Sequence, residues 1–108
     1  MVPASIHAHP AVPVQVVKRD GAVVAFDAGK ISSAIRRAGE ASGEFDAAEA
    51  ALLTAQVVKV LTHRFGGRPP GIEHIQDVVE QTLISANHFA TARAYIVYRE
   101  QHKKLRDT

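Results

Sequence analysis

At 108 residues, with 46% apolar and 22% charged side chains, the chain has room for one compact domain, since single hydrophobic cores form at roughly 100–200 residues. Two tyrosines, four phenylalanines and no tryptophan leave the core to Ala, Val, Leu and Ile, and the lack of cysteine excludes a disulfide framework, a zinc ribbon and a thiol nucleophile. The formal net charge of +2, carried largely by Lys103, Lys104 and Arg106, falls short of the basic face that a dedicated nucleic-acid binder presents.

No run approaches the roughly 18–20 consecutive apolar residues of a membrane helix. Met1 is not followed by the basic flank and apolar centre of a secretory signal. Together with the missing cysteines, these features point to the cytoplasm and to no membrane partner.

Residues 1–13 hold Pro3, Pro10 and Pro13 without a periodicity that could bury a face, and read as a flexible lead. His7 and His9 within it are too few ligands for a metal site. Two strand-like runs follow at 14–19 and 22–26, split by Asp20-Gly21. Asp-Gly between β-branched runs predicts a hairpin with a type I′ turn, in which both central residues take positive φ.

Beyond the hairpin, Ile31, Ala34, Ile35 and Ala38 recur on one helix face. Asp27 is the expected N-cap, with Phe26 and Ile31 as a hydrophobic staple, and Gly39 and Gly43 are expected to end this helix. The same grammar returns at Phe45-Asp46, with Glu49 as the acidic partner of a capping box. A second helix then runs to about Phe65 with Leu53, Val57, Val60, Leu61 and Phe65 inward, stopped by Gly66-Gly67 and Pro69-Pro70.

Gly71 opens a third helix with an apolar stripe of Ile72, Ile75, Val78, Val79, Thr82, Leu83 and Ala86. A fourth starts near His88, with Ala94, Tyr95, Tyr98, His102 and Leu105 on one side and Arg99, Lys103 and Arg106 elsewhere. No stop signal ends it, which predicts a natural chain continuing past Thr108 into another domain. The expected layout is a lead at 1–13, one domain at 14–106, and the start of a linker or the chain end at 107–108.

The chemistry concentrates at the hairpin and the helix after it. Lys18 and Arg19 stand before the turn, and Lys30 stands in the first turn of helix one. A cation there opposes the helix dipole, at a cost of a few tenths of a kcal/mol, roughly, that a bound phosphate would reverse. Lysine supplies a mobile point charge suited to a polyphosphate. Alternation along a strand sends Lys18 and Arg19 to opposite faces, so both reach one ligand only if the hairpin twists strongly at its end. Read alone, each of these cations fits a solvated surface as well as a ligand.

The segments Val16-Val17-Lys18-Arg19-Asp20-Gly21 and Val24-Ala25-Phe26-Asp27-Ala28-Gly29-Lys30-Ile31 resemble the start of the ATP-cone. This is the allosteric module of many ribonucleotide reductases and of their transcriptional repressor. The resemblance continues through Ile72-Glu73-His74-Ile75-Gln76-Asp77-Val78-Val79-Glu80 and Ala92-Arg93-Ala94-Tyr95-Ile96-Val97-Tyr98-Arg99, in family order. It implies an α+β, mainly α fold: an N-terminal β-hairpin covering a four-helix bundle, with adenine nucleotide between the two. By position, Val16, Lys18 and Arg19 would line the hairpin side, Lys30 would reach phosphate, and Ile31 and Ile75 would enclose the base. Asp27 has a possible ligand role that competes with capping, and Tyr98 either packs or approaches the ligand. Ile72 replaces a hydroxyl residue and Gln101 a lysine of some relatives, which weakens a polar contact at each.

The function implied is regulatory: ATP or dATP, with Mg²⁺ accompanying the triphosphate, controlling an attached C-terminal reductase catalytic domain through ligand-dependent homo-oligomerisation. The domain would have no catalytic site of its own. Residues 94–102 look most like the cobalamin-dependent or anaerobic glycyl-radical reductases. An alternative is the sensor of a transcriptional regulator, although the cysteine-ligated ribbon that would precede the hairpin is missing. A phosphotransferase is disfavoured, since Gly66-Gly67 lacks the Gly-Lys-Ser/Thr of a phosphate loop.

Overall fold

The computed structural model describes residues 12–107, with side chains to residue 105. The first eleven residues, with His7 and His9, and Thr108 lie outside that span. Two strands, β1 (Gln15–Val17) and β2 (Val23–Ala25), precede four helices: α1 (Ala28–Ser42), α2 (Ala47–Phe65), α3 (Ile72–Ser85) and α4 (Phe89–Asp107). The strands pair antiparallel with Val16 opposite Val24. This is the expected hairpin followed by a four-helix bundle.

The connection between the strands differs from expectation. Gly21 has φ +88°, but Asp20 is not at positive φ; Asn87 is the one described non-glycine residue that is. Gly21 N–H donates to Lys18 O at 2.9 Å, Lys18 N–H to Ala22 O at 2.8 Å, and Ala22 N–H to Asp20 Oδ1 at 2.9 Å. The loop is therefore the three-residue kind that ends in a left-handed glycine, not a type I′ turn. Arg19 belongs to this loop, so strand alternation does not set its direction.

The hairpin is tied down through β1. Val17 N–H donates to Pro70 O at 2.9 Å, and Val17 forms a parallel bridge with Gly71 just before α3. Val16 is buried in the common core with Ile31, Ile35, Leu61, Ile75 and Leu83. That anchorage places the loop bearing Lys18 and Arg19 beside the start of α3.

Around the bundle, α1 packs on α2 and α4, and α3 on the same two helices. Asp27 caps α1 by accepting from Gly29 N–H at 2.8 Å, and Asp46 caps α2 by accepting from Ala48 N–H at 3.1 Å. The capping box is replaced: Glu49 Oε2 lies 2.9 Å from His88 Nε2, tying α2 to the start of α4. Gly43, at φ +76°, closes α1. Gly39 does not end it; it is buried inside the helix, where a Cβ would stand 2.1 Å from the Phe45 ring. Its role is to admit that ring.

Two stripe assignments also change. Ala86 follows α3 as its cap and is exposed, while on α4 the buried residues are Thr91, Ala92 and Tyr95, with Leu105 74% exposed. The core face of α4 lies nearer its start than the sequence pattern suggested.

Candidate functional site

A cleft in two adjoining parts runs between the hairpin and the bundle. The part beneath the hairpin has a volume of about 460 Å³ and is bordered by Val16, Lys18, Phe26 and Asp27. The part towards α4 is about 200 Å³ and is bordered by Arg19, Gln76, Tyr95, Tyr98 and His102. Lys30, Ile31, Ile72 and Ile75 line both, so the two parts adjoin at these residues. The larger lies within the roughly 300–1,000 Å³ usual for small-molecule sites.

The geometry follows from local folding. Lys30 and Ile31 sit in the first turn of α1, set in place by the Asp27 cap. Ile72, Ile75 and Gln76 share one face of α3, being three and four residues apart. Tyr95, Tyr98 and His102 repeat that spacing on α4, and their rings follow one another with centroids 5.9 Å and then 4.2 Å apart. Burial holds the Tyr95 phenol well above the ordinary tyrosine range, so it stays neutral.

All eight sequence-predicted residues border this cleft, but they divide. Val16, Lys18 and Asp27 stand under the hairpin, Arg19 and Tyr98 stand in the part towards α4, and Lys30, Ile31 and Ile75 are common to both. Arg19 meets Glu73 of α3 at 3.3 Å. Lys18 and Lys30 make no ion pair with any described residue.

Ile72 borders both parts of the cleft as an apolar wall, whereas Gln101 is exposed and borders neither. Gln76 and His102 were missed as site residues. The carbonyl Oε1 of Gln76 is buried with no partner. A polar residue one turn from Ile72 on an apolar stripe was the signal that could have found it.

Acidic groups near the cleft are engaged: Asp27 caps α1 and Glu73 faces Arg19. Among the described residues no three acidic, histidine or cysteine side chains converge as a metal site. No helix among them is long and apolar enough to cross a membrane.

A hairpin seated over a ring of four helices, with a part-basic, part-apolar cleft beneath it, defines a small α+β domain of mainly helical build. The ATP cone domain family model matches residues 14–104, and the chain belongs to that family. A ribonucleoside-diphosphate reductase subunit alpha of Chlamydia muridarum is 36% identical over 103 residues, covering 87% of this chain and 10% of the relative. A vitamin B12-dependent ribonucleoside-diphosphate reductase of Thermoplasma acidophilum is 36% identical over 98 residues, covering 86% and 12%. An anaerobic ribonucleoside-triphosphate reductase of Escherichia coli is 41% identical over 85 residues, covering 78% and 11%. The chain thus spans about a tenth of the length of these curated relatives. It is homologous to a regulatory, nucleotide-binding part of reductase chains, and the resemblance to the cobalamin-dependent and anaerobic classes holds alongside a third kind.

Proposed function

We propose that the cleft binds an adenine nucleoside triphosphate, ATP or dATP, and that its occupancy controls a ribonucleotide reductase catalytic domain attached C-terminally. The observation that carries this reading is the meeting of Lys18 and Lys30, from separate elements and both without ion pairs, on one cavity whose other walls, apart from the α1-capping Asp27, are apolar. Two uncompensated cations beside an apolar slot suit a ligand with a flat base and a polyanionic tail. The buried, unpartnered Oε1 of Gln76 is an acceptor in need of a donor. A site that hydrogen-bonds a hydroxyl discriminates strongly against the analogue lacking it, so Gln76 is the group we assign to sensing the sugar.

Magnesium, in this reading, arrives on the phosphate oxygens, since Mg²⁺ keeps several waters and needs few protein ligands. The chain's own residues bind and orient; none is assigned a chemical step. Control requires that the nucleotide favour one arrangement of the attached domains over another, because a ligand binding both equally shifts neither. Ligand-dependent self-association is the form of control we favour.

The test is calorimetric titration with ATP, dATP, GTP and CTP, followed by light scattering with each ligand. Adenine nucleotides are expected to bind in the micromolar range. A Lys18→Ala, Lys30→Ala variant is expected to keep its fold and lose on the order of a hundredfold in affinity, from about 1.5 kcal/mol per charged contact. Equal, feeble heats for all four nucleotides would leave a plain structural bundle.

A further inference from the structure

The two parts of the cleft differ in chemistry, and the difference orients a ligand. Beneath the hairpin the walls are mostly aliphatic or aromatic, with charge at Lys18, Asp27 and Lys30. Towards α4 the borders include Arg19, Lys30, Gln76, two tyrosines and His102. A nucleoside triphosphate carries an apolar base at one end and most of its charge at the other. Placed base-first under the hairpin, it passes Lys30, which borders both parts, and sends its outer phosphates towards Arg19 and α4. The reverse placement would put the polyanion against Val16 and Phe26 and beside the Asp27 carboxylate.

We propose that His102 is a phosphate-binding residue of this site, and that it grips the outer phosphates as an imidazolium. This rests on the nucleotide reading above. The ring of His102, an exposed residue, lies at the border of the polar part with its centroid 4.2 Å from that of Tyr98 and its plane tilted 42° to it. That contact sets the imidazole beside the cavity. Nothing described in the structure hydrogen-bonds it, so its ring nitrogens are available to a ligand.

The charged and titratable groups that line this part of the cleft with it are Arg19 from the hairpin, Lys30 from α1, and Tyr95 and Tyr98 from its own helix. From α3 it faces neutral Gln76, because Glu73 is turned to Arg19 and Asp77 to Arg99. A bound triphosphate brings concentrated negative charge to this border, which favours the charged form of a neighbouring imidazole, so binding draws a proton onto the ring. Histidine is the side chain that changes charge between pH 5 and 8, which gives the site a proton-linked affinity.

ATP titrations at pH 6.0 and 8.0, in buffers of different ionisation enthalpy, test this on the 108-residue chain. The terminal phosphate itself takes up a proton near pH 6, so the readout is the difference between the parent and a His102→Gln variant. The parent is expected to gain about two- to fivefold more affinity than the variant on going to pH 6.0, the range of a partly exposed ion pair. It should also take up more protons per ATP bound. At pH 8.0 the two are expected to agree within about twofold, and a His102→Arg variant to bind at pH 8.0 as tightly as the parent does at pH 6.0. Identical pH profiles in parent and His102→Gln, with ATP still bound, would overturn the assignment of His102 alone. Absence of ATP binding at both pH values would overturn the nucleotide reading with it.

Discussion

Where α1 turns into α2 and α4 begins, polar groups are matched to one another; along the cleft between hairpin and bundle, two lysines and an amide oxygen are not. At the matched end Thr91, fully buried, donates its hydroxyl to Glu44 Oε1 at 2.5 Å and its backbone N–H to the same oxygen at 2.7 Å. That hydroxyl proton is committed to an acceptor-only carboxylate, and Ser42 Oγ lies 2.7 Å from Thr91 Oγ1 with Gly39 O as a second acceptor at 3.1 Å. Glu44 thereby caps α4 from the α1–α2 connection. Phe45 fills the notch over Gly39 and meets the His88 ring edge-on at 4.7 Å, while His88 bonds to Glu49. Internal pairing of this kind fixes how three helices meet. The hairpin end instead leaves binding capacity unspent. The contrast sets an end whose polar groups are bonded to one another against an end that keeps an open, charged cleft.

The comparison breaks most visibly at Gly39. Gly39→Ala removes a helix-interior glycine, which in open surroundings stabilises by roughly 0.5–1 kcal/mol. Here the new methyl would overlap the Phe45 ring, and overpacking of this kind costs about 1–3 kcal/mol. A net loss of stability is expected by urea denaturation, with ATP affinity of the folded fraction unchanged because neither Gly39 nor Phe45 borders the cleft. A gain in stability would show that Phe45 yields freely.

A smaller effect is expected from Thr91→Val, which keeps the shape and removes the hydroxyl that reaches Glu44; about 1–2 kcal/mol is expected to be lost. Its pH signature is specific. The hydroxyl and then the backbone N–H of Thr91 hold the Glu44 carboxyl below its ordinary range. A carboxylate lowered in the folded state contributes its full stabilisation above its unfolded value. That contribution is lost as pH falls from there through the lowered folded value. Urea midpoints measured between pH 7 and pH 3 should therefore fall less steeply in Thr91→Val than in the parent. Parallel curves would remove Glu44 from the account of this corner.

The sequence made the elements legible where local rules decide them. Asp27 and Asp46 cap as their positions require, Gly43 and Gly66 close their helices in the left-handed region, and the apolar stripe of α3 is buried from Ile75 to Leu83. It misled where a long-range contact decides. Gly39 read as a helix stop because nothing local announces that Phe45 will lie over it. Glu49 read as a capping partner because His88, 39 positions away, is invisible to a pattern of four. The Asp-Gly signal gave the hairpin but not its loop, since the bond from Ala22 N–H to Asp20 holds Asp20 out of the left-handed region. The cleft shows the same division. Lys18, Arg19 and Lys30 were found through their nearness to a turn and a helix start. Gln76 and His102 come from helices that only the closed bundle brings alongside.

The finest test of the contrast is Glu73→Gln, because Arg19 is the one cation of the cleft that the matched style of pairing has reached. Its guanidinium meets Glu73 at 3.3 Å, with the arginine side chain 19% exposed and the glutamate 57%. An ion pair with so exposed a partner is worth about 0.2–1 kcal/mol. Glu73 also stands in the first turn of α3, where its charge favours the helix by a similar, small amount. Removing the charge should cost a few tenths of a kcal/mol of stability, roughly, and release Arg19 to the outer phosphates. ATP affinity is then expected to rise about two- to fivefold at low salt, a gain that shrinks as salt screens exposed charges. Adenosine, which has no phosphate for Arg19 to meet, is expected to bind parent and variant alike. A fall in ATP affinity would reverse the account: Glu73 would then be holding Arg19 in position for the ligand rather than competing for it, and the pairing would belong to the binding site.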